Sequence, residues 1–349
     1  MMKISFIISS LKYKSGIERV ACVLANALYN SGYLVEIINR DTKKNKVAYP
    51  LEKGIEVYAF SGNYFKFYQS VEKHIQSSKP DYIVLHNMGK LSLLLSFLTI
   101  SFNSKIISLE HVAFLSRPVW VQFLYKIRAK KINKIVTLTN NDAQAYSSFH
   151  KNVTVINNSS PFILSLEKPS YCQDSKTVIS IGRLTYQKNF KDLLLAWSLV
   201  NNEINDWSLD IYGTGEELHY LKKLIEDRKI RNVTLKGQTD NVEQVYSNAA
   251  FYVMSSRYEG LPMVLIEAQT FGLPIISYDC PHGPAEVIDH DKNGLLVEDQ
   301  NYKKLAAAIL YLINNPDKRL NMSAQSLQEA KKYSVEFIVG QWEKMVFTK

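Results

Sequence analysis

The segment at residues 249–272 constrains the fold of this chain more than any other part of the sequence. An apolar run, Ala249 to Met254, predicts a buried strand, and the polar segment after it contains Gly260. Pro262 suits the first position of a helix, because proline has no N–H group to leave unpaired there. We expect this helix to stop at Gly272, a typical C-cap residue. A strand, a glycine turn and a helix start together present free backbone N–H groups to an anion.

The same alternation of strand and helix patterns extends along the chain. Lys3 to Ser10 predicts a first strand, a helix pattern follows from Ile17 to Asn30, and Leu34 to Ile38 predicts the next strand. Such a β-α-β unit implies a parallel sheet with a right-handed crossover. Residues 157–176 show little periodicity, as expected for a linker, and the same order restarts after them. We therefore predict an α/β protein with two Rossmann-like domains, whose parallel sheets face each other across a cleft.

Length and composition exclude several classes of protein. The chain has 349 residues, of which 46% are hydrophobic and 21% charged, and this suits two globular domains. Its three cysteines, Cys22, Cys172 and Cys280, lie far apart, which argues against a disulfide framework or a metal knuckle and for a reducing compartment. No signal-peptide pattern opens the chain, and the apolar run from Leu91 to Phe102 is too short to span a membrane. We therefore predict a cytoplasmic protein.

Two pairs of charged residues are candidates for binding a diphosphate-linked sugar. Arg183 and Lys188 share a loop after a predicted strand, where a guanidinium and a flexible ammonium suit a diphosphate leaving group and replace a divalent metal. Ordinary solvated cations are the alternative. Glu259 and Glu267 flank the turn and helix start, where carboxylates suit sugar and ribose hydroxyls. The alternative for them is a carboxylate favoured near a helix start together with a surface carboxylate.

Glycines and histidines at predicted strand ends are further candidates. Gly16 and Gly213 each follow a strand at the edge where open α/β folds bind ligands, although an ordinary turn explains either position. His86 and His111 each follow a strand end in the first domain. A lone histidine is more often structural, but a strand end facing a cleft favours a functional role, more so for His111 than for His86.

A basic segment over residues 117–131 predicts an amphipathic helix suited to an anionic membrane surface. The net charge of +9 suits nucleic acid, an anionic membrane or a phosphorylated substrate. Because the cations follow no nucleic-acid reader motif, we predict no nucleic-acid partner. A helix packed on the core with a solvated basic side is the alternative. The residues assigned to a membrane or an acceptor are Arg117, Trp120, Lys126, Arg128, Lys130 and Lys131.

Several motifs together carry a family resemblance. They are Gly182-Arg183-Leu184 with Lys188, the frame from Ser256 to Ala268 that holds both glutamates, and Gly16-Ile17-Glu18-Arg19, which has Ser15 before it. They closely resemble the motifs of the retaining family-four glycosyltransferases. The segment from Cys280 to Glu286 is similar to a variant that we associate with enzymes of bacterial surface polysaccharides that use UDP-sugars.

The resemblance implies the GT-B fold and a division of labour between its domains. Residues 1–160 would form an N-terminal acceptor-binding domain, joined by a C-terminal crossover helix at about 335–349, and residues 175–333 a donor-binding domain. By resemblance, the catalytic positions are His111, Glu259, Arg183 and Lys188. The donor-binding positions carried over are Gly16, Gly182, Arg183, Lys188, Gly213, Glu259, Gly260, Leu261, Pro262, Met263, Val264 and Glu267.

The activity implied by the resemblance is metal-independent, retaining sugar transfer without a cofactor. A hexose or N-acetylhexosamine would move from a UDP-sugar to a lipid-linked or lipopolysaccharide or capsule glycan at the inner face of the plasma membrane. Arg183 and Lys188 would bind the diphosphate, Glu259 the donor sugar and Glu267 the ribose, with His111 beside the sugar and the acceptor. Two alternatives stay open: a GT-B-like sugar-nucleotide binding protein without transfer activity, and a transferase that acts on a soluble acceptor.

Overall fold

The chain divides into two compact units in the computed structural model, which describes residues 1–13, 16–87, 104–162 and 171–347. Unit 1 comprises Met1–Pro161 together with Val335–Lys349, and unit 2 comprises Phe162–Ser334. The boundary falls inside the segment 157–176, where the sequence predicts a linker. The apolar run from Leu91 to Phe102, and Ser15, lie outside the described residues.

Unit 1 is built on a parallel sheet whose strands are rich in Ile, Val and Leu, because both faces of such a sheet are covered. Among the described residues, its strands are β1 (Lys3–Ile7), β2 (Leu34–Asn39), β3 (Glu56–Ala59), β4 (Tyr82–Asn87), β5 (Lys105–Glu110), β6 (Lys134–Thr137) and β7 (Val153–Val155). They lie in the order β3-β2-β1-β4-β5-β6-β7, and every neighbouring pair is parallel.

The helices of unit 1 begin at side-chain caps or bury an apolar stripe. In the described part they are α1 (Gly16–Asn30), α2 (Tyr64–Ser78), α3 (Val119–Arg128) and α4 (Asn140–Ser147). The side chain of Asn63 caps α2 by accepting from the Lys66 amide, and Thr139 caps α4 in the same way. In α1, Val20 and Leu24 are buried at helical spacing, which fixes the side of the helix that faces the core.

Unit 2 repeats this arrangement with a second parallel sheet. Its described strands are β8 (Thr177–Ile181), β9 (Ser208–Tyr212), β10 (Val233–Gly237), β11 (Phe251–Met254), β12 (Ile275–Tyr278) and β13 (Gly294–Val297), in the order β10-β9-β8-β11-β12-β13. Its described helices are α5 (Phe190–Val200), α6 (Leu218–Asp227), α7 (Val242–Ser247), α8 (Met263–Thr270), α9 (Pro284–Val287), α10 (Tyr302–Asn314) and α11 (Pro316–Ala330). Because β9, β8, β11 and β12 are parallel neighbours, the loops that follow them meet at one edge of the sheet.

The last helix, α12 (Val335–Met345), returns to unit 1. Its buried residues Ile338 and Trp342 lie beside Val20 and Leu24 of α1. After the helix, the ring of Phe347 packs on Tyr33 and Tyr82 of unit 1. This helix therefore completes the core of unit 1. No helix in the described ranges is long and apolar enough to cross a membrane.

The helix predicted after Gly260 is present, with a small shift at its start. Pro262 is the N-cap of α8 rather than its first helical residue, because its ψ of 97° is extended and not helical. The helix ends at Thr270, and Gly272 follows with a φ of +69°, the conformation expected of a glycine C-cap.

Candidate functional site

The loop after β8 is held against the loop after β9 by backbone contacts. The Leu184 amide donates to the Thr214 carbonyl (2.9 Å), and the Glu217 amide donates to the Leu184 carbonyl (2.9 Å). Gly213 has a φ of +141°, and a Cβ atom there would lie 1.8 Å from the carbonyl oxygen of Gly182. Only glycine fits at this position. Gly213, predicted to bind the donor, therefore has a packing role that places Gly182.

The loop after β8 is also bound to the loop after β11. The Arg257 amide donates to the Gln187 carbonyl (2.8 Å), and Arg257 Nη2 donates to Asn189 Oδ1 (2.7 Å). Ser255 Oγ donates to the carbonyl of Lys188 (3.1 Å). These bonds run between two neighbouring strand ends, so they fix the backbone from which the Lys188 side chain extends.

Lys188 and Glu259, predicted separately as donor-binding residues, form an ion pair. Lys188 Nζ lies 2.6 Å from Glu259 Oε1, with side chains 16% and 8% exposed. Gly182 lies against the lysine stem, since a Cβ atom there would be 3.4 Å from Lys188 Cγ and Cδ. Arg183 is exposed, and its guanidinium makes no hydrogen bond or ion pair with any described residue. The structure thus brings Gly182, Lys188 and Glu259 together and leaves Arg183 of the same loop exposed.

The loop after β12 supports the turn that contains Glu259. The Glu259 amide donates to the Pro281 carbonyl (3.4 Å). Gly283 has a φ of +91°, and a Cβ atom on it would lie 1.9 Å from the Gly260 carbonyl oxygen and 2.6 Å from Pro262 Cδ. These contacts therefore fix the shape of the turn. The other predicted positions in it are buried, as are Leu261 and Pro262, or half-buried, as are Met263 and Val264.

Glu267 is a buried carboxylate, not a surface one. It is 4% exposed, and Tyr246 donates its hydroxyl to Glu267 Oε2 (2.9 Å). The Tyr246 ring stacks on Phe271, with centroids 5.3 Å apart. A charge held at this depth needs hydrogen-bond donors around it, and the tyrosine supplies one. The alternative of a surface helix carboxylate is therefore excluded.

The two histidines predicted at strand ends of unit 1 contact each other. His86 Nδ1 lies 3.2 Å from His111 Nε2, and the rings stack with centroids 5.3 Å apart. Burial lowers the pKa of His111 to about 4, against the opposing effect of the Glu110 charge, and burial also lowers the pKa of His86 well below its usual value. Both rings are therefore neutral at pH 7, and one ring N–H donates to the other ring.

Gly16 begins α1 and is exposed, and a Cβ atom on it would meet no atom of the described residues within 4 Å. Packing therefore does not demand glycine at this position. The predicted contact of Gly16 with a donor stays a prediction.

The structure corrects one residue of the predicted membrane-binding set. Arg117 is 6% exposed and forms an ion pair with the buried carboxylate of Glu110, which also accepts from Ser108 Oγ (2.6 Å) and the Tyr125 hydroxyl (2.5 Å). Burial acts to raise the pKa of Glu110, but the Arg117 charge and these hydrogen bonds lower it. Arg117 therefore balances a buried charge in the interior and is not part of an exposed basic surface.

The other residues of that set are more accessible. Arg128 is half-buried, and the exposed ones are Trp120, Lys126, Lys130 and Lys131. Their contact with a membrane or an acceptor stays a prediction. Within the ranges that the structure describes, no three His, Cys, Asp or Glu side chains are grouped so that they could hold a metal ion.

Comparison with known proteins identifies the family. Residues 166–329 match the family model described as glycosyl transferases group 1. The amylovoran biosynthesis glycosyltransferase AmsD of Erwinia amylovora is 31% identical over 98% of this chain and 99% of its own length. The chain belongs to the group 1 glycosyltransferases. Another relative is 27% identical over 99% of this chain and 98% of its own length: the GalNAc-α-(1→4)-GalNAc-α-(1→3)-diNAcBac-PP-undecaprenol α-1,4-N-acetyl-D-galactosaminyltransferase of Campylobacter jejuni.

The fold of this glycosyltransferase is GT-B, as the resemblance implied. Staphylococcus aureus TarM, in complex with fondaparinux, α-GlcNAc-glycerol and UDP, superposes with a TM-score of 0.79 over 99% of both chains at 18% identity. The predictions of the family, of its α/β class with two parallel sheets, and of glycosyltransferase activity are therefore confirmed.

Sequence reasoning missed three residues that shape the glycosyltransferase site. Arg257 lies inside the quoted motif, so its position was a usable signal for the loop-to-loop bonds that it forms. Gly283 lies in a Pro-x-Gly segment, which indicates a special backbone conformation. Tyr246 lies 21 residues before Glu267, and no local pattern indicates that the two meet.

Proposed function

We propose that this enzyme is a retaining glycosyltransferase that moves a hexose or N-acetylhexosamine from a UDP-sugar to a lipid-linked, lipopolysaccharide or capsule glycan at the cytoplasmic face of the membrane. The observation that carries the proposal is the pairing of Lys188 with Glu259 at the carboxyl edge of the unit 2 sheet. A cation for a diphosphate and a carboxylate for a sugar hydroxyl are held 2.6 Å apart. This suits a nucleotide-sugar, in which the sugar is attached directly to the diphosphate.

The donor diphosphate would lie against Lys188, Arg183 and the start of α8. Arg183 is free to turn toward a phosphate, and the first amides of an eight-residue helix point outward beside the Gly260 turn. Glu267 would accept ribose hydroxyls while Tyr246 holds the carboxylate in place. The complex of TarM with UDP supports the choice of nucleotide, since TarM shares this fold.

Transfer would proceed by attack of the acceptor hydroxyl on the same face of the sugar from which UDP leaves. The bond from the anomeric carbon to the phosphate oxygen breaks, the bond to the acceptor oxygen forms, and the leaving phosphate takes the acceptor proton. Arg183 and Lys188 stabilise the charge that grows on the diphosphate, which makes a metal-independent reaction possible. Glu259, whose Oε1 accepts from Lys188, positions the sugar, and same-face attack requires no nucleophile from the enzyme. His111 is proposed to contact the donor sugar and the acceptor.

The acceptor side of the proposal rests on unit 1 and on the relatives. The Campylobacter jejuni relative is named for an acceptor linked to PP-undecaprenol, and AmsD is named for amylovoran biosynthesis. In unit 1, α3 exposes Trp120, with Lys126 and Lys130 nearby. A peripheral location on the anionic inner leaflet would bring the enzyme to such an acceptor.

Thermal shift with UDP, UDP-Glc, UDP-Gal, UDP-GlcNAc, UDP-GalNAc and GDP-Man tests the donor, since a ligand that binds only the folded state raises the melting temperature. The preferred donor is then used in a transfer assay with native enzyme, Glu259→Ala and Lys188→Ala, with Leu320→Ala on the surface of α11 as the control. We expect both site variants to lose transfer, and NMR of the product to show the donor's anomeric configuration. Undiminished transfer by both variants would disprove the site, and stabilisation by a donor without any transfer would support the non-catalytic alternative.

A further inference from the structure

The outward side of α3 is apolar, and within the ranges that the structure describes its side chains are exposed. Val119, Trp120 and Phe123 are 80%, 61% and 63% exposed, and Leu124 and Ile127 are exposed as well. At about 100° per residue, these five side chains fall within an arc of roughly 140° on one side of the helix. Together they expose several hundred Å², a patch size that on soluble proteins usually marks a binding surface.

This exposed side is separate from the side that holds α3 to the protein. Val121 and Tyr125 point the other way and are buried. Tyr125 packs in a cluster with Phe114 and Tyr146. A helix that is apolar on two sides is expected to be covered on both. The core covers one side of α3, so the other side calls for a partner.

The charges around the patch indicate what that partner is. Lys126, Lys130 and Lys131 are exposed in the last turn of α3 and directly after it. No Asp or Glu occurs anywhere from Arg117 to Lys134. A second copy of this chain that used the same face would bring no opposite charge to these cations, whereas an anionic bilayer offers hydrocarbon to the apolar side chains and phosphates to the lysines.

We propose that α3 inserts its apolar face into the acyl-chain boundary of an anionic bilayer, with Trp120 and Phe123 entering the hydrocarbon and the three lysines at the headgroups. The proposal deepens the membrane part of the proposed function and rests on it, but lipid binding is measured without any sugar transfer, so each can fail without the other. The sequence prediction places an amphipathic helix with Trp120 on the membrane surface, and the proposal adds which side chains enter the hydrocarbon. The free energy of insertion comes mainly from the apolar area that α3 buries in the bilayer, and salt does not weaken this contribution. Salt does screen the attraction between the lysines and the anionic headgroups.

The geometry gives this insertion a direct structural link to the candidate catalytic histidine. Pro118 is the N-cap of α3, and Arg117 precedes it. Arg117 forms an ion pair with Glu110, the last residue of β5. His111 is the next residue. A docked α3 would therefore hold His111 at a constant depth relative to the membrane.

Tryptophan fluorescence tests insertion in the native protein. Of its four tryptophans, Trp120 is exposed, while Trp197, Trp207 and Trp342 are at most 7% exposed. Vesicles of phosphatidylglycerol and phosphatidylethanolamine should therefore shift Trp120 emission to the blue, and phospholipids brominated on the acyl chains should quench it. Quenching should persist at about 0.5 M NaCl, where charges more than about 5 Å apart are screened.

Vesicle flotation of variants separates the apolar contribution from the charges. Trp120→Ser/Phe123→Ser should lower partitioning at least about tenfold, whereas Lys126→Gln/Lys130→Gln/Lys131→Gln should lower it mainly at low salt. Leu320→Ser, which removes a single exposed leucine of α11, is the matched control and should bind as the native protein does, with circular dichroism to verify folding. Absence of acyl-chain quenching, full binding by the serine double variant, or a dimer in light scattering that this variant dissolves would overturn the proposal.

Discussion

Substitutions of Lys188 and Glu259 should change UDP affinity in opposite directions. The Lys188 ammonium lies 2.6 Å from the Glu259 carboxylate, which balances its charge. Lys188→Met removes a cation from the proposed diphosphate site. Glu259→Gln keeps the size of the side chain but releases the ammonium from its partner, so the diphosphate becomes the nearest source of negative charge.

The structure sets the expected magnitudes. A hydrogen bond to a charged group contributes about 1.5–3 kcal/mol, so Lys188→Met should weaken UDP binding about 10- to 150-fold, and Glu259→Gln should strengthen it by up to about tenfold. Both variants lose stability, because each leaves one charge of a largely buried pair alone. The cost should be about 2–4 kcal/mol for each, below the upper values for fully buried pairs because the lysine is 16% exposed.

Isothermal titration with UDP and urea unfolding of the two single variants and the double variant measure these effects. The double variant should lose less stability than the sum of the two, by about 1–3 kcal/mol, because neither charge remains alone. Lys191→Met, an exposed lysine on α5, is the control for loss of charge as such. Additive stability losses, or weaker UDP binding in Glu259→Gln than in the native enzyme, would refute the reasoning.

Three further predictions concern the fold around the site. Gly213→Ala should cost more than about 2 kcal/mol in urea unfolding, because its φ is +141° and the new Cβ would lie 1.8 Å from the Gly182 carbonyl oxygen. Arg117→Leu should cost about 3 kcal/mol by leaving Glu110 buried and alone, and Arg117→Leu/Glu110→Gln should recover part of it. Burial acts to raise the pKa of Glu36, but hydrogen bonds from neighbouring side chains lower it to about 2. Because this pKa is below the ordinary value of 4.5, the Glu36 carboxylate stabilises the fold above pH 4.5, and this contribution is lost as the pH falls toward 2. The total loss should be about 3 kcal/mol, and Glu36→Gln should lack it in acid titrations of stability.

Each of these has a result that would contradict it. A Gly213→Ala protein as stable as the native one would mean that the loop after β9 can move away from Gly182. A double variant no more stable than Arg117→Leu would show that the lone charge of Glu110 is not the cause. An unchanged acid slope in Glu36→Gln would assign the loss of stability to other carboxylates.

Strong periodicity made much of the fold predictable. The helix pattern from Ile17 to Asn30 matches α1 to within one residue, and the strand pattern from Leu34 to Ile38 matches β2 to within one residue, because each carries a clear apolar pattern. The strand Gly294–Val297 was missed because four residues are too few to show a periodic pattern. The helix Pro316–Ala330 was missed because few of its residues are apolar and no continuous stripe shows in its sequence.

The site could be predicted as a set of residues but not as a set of contacts. The motifs indicated Lys188 and Glu259, yet their pairing joins positions 71 residues apart and depends on β8 and β11 being neighbours in the sheet. Arg117 shows the opposite error. Its neighbours in sequence are basic and aromatic, so the pattern predicted an exposed cation, and only the position of Glu110 at the end of β5 shows why it is buried.

The return of α12 to unit 1 determines the order in which the protein can be completed during synthesis. Every described element of unit 2 lies between residues 162 and 334, whereas unit 1 needs a helix that the ribosome makes after all of them. At about 5–20 residues per second, unit 2 takes roughly 10–35 s to emerge. Throughout that interval, the apolar surface of α1 that later receives Trp342 is bare and open to chaperones. A nascent chain that stops before Val335 should therefore hold a finished unit 2 and an unfinished unit 1.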